Sequence, residues 1–84
     1  MSKIIKHSNS NNPLSHYVQT SDGKYWYVDS QLLPWRGKYE TMVFEATDKC
    51  KVRSWMGVYA NILNSEDEMK EEHERLINNL ENYI

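Results

Sequence analysis

Only one stretch of this chain has the pattern of a helix, while the strand-like stretches before it carry apolar side chains on both of their faces. Ser65, followed three residues later by Glu68, reads as a capping box in which each side chain accepts a hydrogen bond from the other residue's backbone amide. Glu66, Asp67 and Glu68 set negative charge at the positive end of the helix dipole. Beyond the cap, Met69, His73, Leu76, Leu80 and Tyr83 fall on one stripe at helical spacing, with Ile77 and Ile84 beside them. Glu71, Glu74, Asn78 and Glu81 form the opposite, solvated side. A single helix covers one face of a sheet, so apolar residues on the other face need a different explanation.

The strands themselves are marked by alternation and turn residues. Residues 14–20 read as a strand, Asp22-Gly23 suits the positive φ angles of a tight hairpin turn, and residues 24–29 alternate aromatic and β-branched side chains. Residues 31–38 contain Pro34 and Gly37 and are expected as a loop presenting Trp35 and Arg36. A tryptophan beside an arginine there is either a lid over the core edge or an exposed anchor for a partner, and the lid is the preferred reading. Residues 39–46 and 52–60 are expected to form a second hairpin across the polar connection 47–51. Gly57 suggests a bulge or bend that shifts the alternation after it. The expected architecture is therefore α+β: a small antiparallel sheet of three to four strands with one C-terminal helix packed on one face.

Size and composition narrow the possibilities. With 84 residues the chain is expected to be one domain over residues 14–84, preceded by a flexible arm over residues 1–13 whose polar run 8–12 has little to bury. A chain this small buries only about 60–65% of the surface its unfolded form exposes, which leaves little room for an enclosed active site. The net charge of −2 argues against generic attraction to nucleic acid or to an anionic membrane. The charge is uneven, however: residues 65–84 carry seven acidic side chains against Lys70 and Arg75, and residues 1–64 carry eight Lys/Arg against five Asp/Glu. The single cysteine, Cys50, forms no internal disulfide, and with no apolar signal segment or membrane span the expected location is cytoplasmic.

No constellation for catalysis or metal binding stands out. His7, His16 and His73 share no metal-ligand spacing with one another or with Cys50, and there is no HExxH, no CxxC and no glycine-rich phosphate loop. His73 on the apolar stripe reads as a neutral, hydrogen-bonded residue at the core edge. A concealed acid–base pair such as His73 with Glu40 stays open. The expectation is a non-enzyme with no cofactor and no metal.

The run Glu40-Thr41-Met42-Val43-Phe44, then a polar turn, a second strand carrying Trp55, and a final helix with His73-Glu74 in its middle resembles small uncharacterised proteins of phages and prophages. The resemblance spans residue 24 to the C-terminus and implies a context, an accessory protein in a host cell, but no chemistry.

The coverage mismatch supplies the candidate site. If Trp26, Val28, Met42, Phe44, Val52 and Met56 lie under the helix, the free face shows Tyr25, Tyr27, Tyr39, Val43, Trp55 and Tyr59, with Arg53 among them. Tyr, Trp and Arg are the residue types enriched at protein interfaces. The expected partner-binding set is thus Tyr25, Tyr27, Trp35, Arg36, Tyr39, Arg53, Trp55 and Tyr59. The preferred function is binding of a host or phage protein, modulating a host factor or defence system, with a homodimer through the same sheet as one form. One alternative is a single-stranded nucleic-acid binder that stacks bases on these rings, with Arg36, Lys38, Lys49, Lys51 and Arg53 on phosphates; its weakness is the acidic helix. The other is a fold in which the N-terminal segment covers the second face and leaves no site.

Overall fold

A computed structural model describes residues 2–9 and 11–84 of the chain. The fold is α+β: five antiparallel strands in sequential order, β1 (Lys3–Asn9), β2 (Asn12–Gln19), β3 (Tyr25–Leu33), β4 (Lys38–Ala46) and β5 (Tyr59–Leu63), followed by one helix, α1 (Glu66–Asn78), packed on the sheet. The strand count exceeds the expected three to four because the segment expected as an arm is β1 and the start of β2. Ile4 lies opposite Val18 and His7 opposite His16. An edge strand needs only one side of its backbone paired to be held, and β2 supplies that pairing here. Met1 and Ser10, also assigned to the arm, lie outside the described residues.

Ser2 ties the beginning of the described chain to its end. Its hydroxyl donates to the Ile77 carbonyl at 2.7 Å and accepts from the Leu80 amide at 3.0 Å, while its own amide donates to the Asn78 carbonyl at 3.3 Å. These bonds satisfy groups that the end of α1 leaves without intrahelical partners. Ser2→Ala is expected to lower the unfolding free energy by about 1–3 kcal/mol, read as a fall in the urea midpoint, because it takes the partner from the buried Leu80 amide and from the half-buried Ile77 carbonyl.

The turns largely follow their glycines. Gly23 has φ +85°, its amide donates to the Thr20 carbonyl at 3.0 Å, and Thr20 and Lys24 close the expected hairpin. The next connection is much shorter than the expected loop 31–38. Only residues 34–37 turn, with the Arg36 and Gly37 amides both donating to the Leu33 carbonyl and Gly37 at φ +63°. This tight turn sets β3 against β4 with Val28 opposite Val43 and Tyr27 opposite Phe44. After β4, Ala46 bridges to Val52 across a turn in which Cys50 takes φ +56°, but the second strand does not continue as expected. The chain instead loops out and rejoins the sheet at Tyr59, close to where Gly57 signalled a bend. A Cβ on Gly57 would stand 2.7 Å from the end of the Met42 side chain.

The core lies between the sheet and α1. Val18, Val28, Val43, Leu76 and Leu80 are all fully buried, and Trp26, Tyr59, Ile77 and Tyr83 pack against them. The helical stripe is as expected at Met69, His73, Leu76 and Leu80, whereas Ile84 is exposed. At the cap the Glu68 amide donates to Ser65 Oγ at 3.2 Å, but the Glu68 carboxylate accepts from the Asn64 amide, one residue before the cap. The helix stops at Asn78, and a short 3-10 turn, Leu80–Asn82, completes the chain's cover over the core.

Candidate functional site

The register of the five strands divides the side chains into a helix side and an open side. His16, Val18, Trp26, Val28, Ser30, Thr41, Val43, Tyr59 and Asn61 share the helix side. The open side carries Tyr17 opposite Tyr27, Tyr27 opposite Phe44, Asp29 opposite Met42, and Glu40 opposite Ile62. Trp26 and Val28 are thus under the helix as expected, but Met42 and Phe44 are not, and Val43 takes their place. The expected phase of β4 was one residue out, because a loop of unknown length left the pairing of β3 with β4 undetermined.

The open side is an aromatic row crossing three strands and a loop. Tyr17 and Tyr27 lie with ring centroids 4.9 Å apart, and Tyr27 stacks on Phe44 at 6.1 Å. Trp55, from the loop between β4 and β5, meets both rings in a T-shaped arrangement, 5.2 Å from Phe44 and 6.2 Å from Tyr27 between centroids. Phe44 is buried beneath it, yet Trp55 itself remains 72% exposed. The loop therefore roofs one ring and offers another to solvent. Hydrogen bonds fix the row: the Ser15 and Tyr27 hydroxyls are 2.7 Å apart, and Gln19 Nε2 donates to the Tyr25 hydroxyl at 3.2 Å. Asn12 Nδ2 donates to Asp29 Oδ1 at 3.1 Å. Burial pushes the Asp29 carboxyl above its usual range, against a lowering by the Tyr27 hydroxyl, and the nearby Glu40 charge raises it further.

Of the expected site residues, the structure brings Tyr25, Tyr27 and Trp55 to this face, with Arg53 at its end. Arg53 lines an open notch of about 540 Å³ together with Lys24, Tyr25, Glu45 and Asp48. Trp35 and Arg36 stand in the turn at the other end of β3, about 20 Å along the strand from Tyr27. Trp35 is 78% exposed, so it is not the expected lid over the core edge. Tyr39 lies opposite Leu32 and Leu63 on the helix side. Tyr59 is also on that side: its hydroxyl donates to Glu72 Oε2 at 3.0 Å and its ring meets Tyr83 edge-on. Burial first, and the Glu72 carboxylate after it, push the Tyr59 phenol up to about 12. The missed members of the face are Tyr17, Met42 and Phe44.

A second polar assembly runs under the helix. His16 Nδ1 and His73 Nε2 are 2.9 Å apart, His73 Nδ1 is 2.7 Å from Ser30 Oγ, and Ser30 Oγ is 2.9 Å from Thr41 Oγ1. His7 flanks His16 at 5.3 Å between ring centroids, with its Nε2 donating to the Asn12 carbonyl. Burial, then the charge of His16, pulls His73 down to about 4, and burial followed by His7 lowers His16. Ser30 and Thr41 are fully enclosed, which removes both hydroxyls from contact with any substrate. Glu40 is on the opposite side of the sheet, so the pair His73 with Glu40 does not form. Among the described residues no group of three or more His, Cys, Asp or Glu is placed to hold a metal ion, and no helix is long and apolar enough to cross a membrane. Set against protein-family models, curated proteins and solved structures, the chain matches none.

Proposed function

We propose that the protein acts by binding a protein partner through the open sheet face and not by catalysis. The supporting observation is the row Tyr17, Tyr27, Phe44 and Trp55, on the side of the sheet away from α1 and ending in a tryptophan that is largely exposed while already braced by two rings. A braced aromatic loses little side-chain freedom on docking, which is what an interface anchor requires. Lys3 and Lys6 border the row on β1 and Arg53 on the loop, with Asp29 and Glu40 on the same side. The resemblance carried by Glu40-Thr41-Met42-Val43-Phe44 suggests a phage or prophage accessory protein in the host cytoplasm, with a host or phage protein as the ligand.

The test compares recovery of partners by tagged wild type, Trp55→Ala and Trp35→Ala. Both tryptophans are highly exposed and lie outside the cluster under the helix; Trp55→Ala also uncovers Phe44, so its urea midpoint is compared with that of wild type. Trp55→Ala is expected to cut recovery by tenfold or more, on the order of 2 kcal/mol of binding, and Trp35→Ala to leave it unchanged. Equal recovery by all three sinks the reading.

One observation favours the nucleic-acid alternative: α1 and its acids lie on the side of the sheet away from the aromatic row, which is the one-sided charge layout that alternative needs. Fluorescence anisotropy with single-stranded DNA and RNA at low salt separates the two readings, because phosphate contacts are strongest there.

A further inference from the structure

A sheet of five strands in sequential order has two outer edges, and in this protein the two are built differently. The β1 edge carries Lys3 and Lys6, and its pairing with β2 is interrupted twice, between Ile4 and Lys6 and between His7 and Asn9. Charged side chains and register breaks are the devices by which strands resist pairing with another chain. The β5 edge has neither. Its five residues, Tyr59-Ala60-Asn61-Ile62-Leu63, contain no charge and no proline, and pair with β4 without a break from Tyr39 opposite Leu63 to Val43 opposite Tyr59. β4 is the only strand beside β5, α1 and the Tyr83 ring pack on its helix side, and among the described residues none of the loop or turn backbone bonds reaches residues 59–63. Among the described residues the outward backbone groups of β5 thus lie along an uncharged edge in unbroken register. Ile62 is 43% exposed on the open side, and Met56 and Val58 are exposed in the adjoining loop.

We propose that β5 is a homodimer edge, on which the β5 of a second copy pairs antiparallel about a two-fold axis at Asn61. That occupant follows from the strand's self-complementarity. Antiparallel pairing centred on Asn61 sets Ala60 opposite Ile62 of the second copy, small against large on the open side, and Tyr59 opposite Leu63 on the helix side. No like charges meet within the strand, and both ends of the register are equivalent, as a two-fold contact demands. The product is a continuous ten-stranded sheet with both aromatic rows on one side. This inference is independent of what the aromatic row binds.

Sedimentation of the full chain over a wide concentration range tests it. Wild type is expected to pass from the 10.0 kDa monomer to twice that mass. Ile62→Lys is expected to raise the dissociation constant about tenfold or more by placing the missing charge on the edge, while Ile4→Lys on the β1 edge and Trp55→Ala on the open face leave it unchanged. A monomer at every concentration overturns the proposal, as does a dimer lost in Trp55→Ala or Ile4→Lys but kept in Ile62→Lys. Should Ile62→Lys fail to fold, amide hydrogen exchange on wild type decides: slowing of residues 59–63 as concentration rises supports the edge, and unchanged exchange there overturns it.

Discussion

Acidification from neutral pH to about pH 4 is expected to remove about 3 kcal/mol of folding stability through His73 alone. The direction follows from the depressed value: the ring titrates near its ordinary 6.5 when unfolded and near 4 in the fold, so between those values the unfolded chain binds the extra proton. The stabilising contribution is full above 6.5 and is lost as pH falls toward 4. The geometry gives the reason. His73 is enclosed, and what faces it is Ser30 and beyond it Thr41 from the sheet, both neutral, and His16 from β2. Its neighbour on the helix, Glu72, is engaged by Tyr59 and Asn61 instead. One proton can be shared in the 2.9 Å contact between His16 and His73, but two protonated rings would point N–H at N–H. Urea titrations of wild type and His73→Gln across this range should show a steep loss in the first and a flattened one in the second. Parallel curves for the two proteins would mean that another group governs the acid transition.

How far these features are legible in the sequence depends on how local their determinants are. The helix cap at Ser65 and the turn at Asp22-Gly23 are specified by residues within four positions of each other, and both are present. The placement of Phe44 beside Tyr27 depends on the length of one turn. Treating residues 31–38 as a loop hid a pairing that a four-residue turn after Leu33 would have dictated, since Leu33 opposite Lys38 brings Tyr27 opposite Phe44. Tyr59 moved to the helix side because the residues between Val52 and β5 leave the ladder, which no alternation pattern counts. His7, His16 and His73 come from two strands and a helix, so their row is invisible to spacing rules. His7 beside His16 would have followed from recognising β1. The aromatic character of the open face was legible in kind, but three of its members required the register.

Glu72 carries the other large effect. In the run Glu71-Glu72-His73-Glu74 it resembles its solvated neighbours, yet it sits one turn from Met69 and Leu76 on the inward stripe and is almost fully buried. Its Oε2 accepts from the Tyr59 hydroxyl at 3.0 Å and from Asn61 Nδ2 at 2.5 Å, while Oε1 faces Arg75 at 3.6 Å. A single carboxylate therefore fastens α1 to β5, a five-residue edge strand with one strand partner. Glu72→Ala removes the acceptor from two half-buried donors and leaves a void beside Leu76, and its expected cost is about 3–4 kcal/mol. Glu72→Gln keeps the shape and one acceptor oxygen, and its expected cost is about half of that. For a domain whose total stability is of the order of 5 kcal/mol, the alanine variant stands close to unfolding. Urea midpoints measure the difference, and amide exchange should show residues 59–63 opening before β3. An alanine variant as stable as wild type would show that Tyr59 and Asn61 hold β5 to the sheet without the helix.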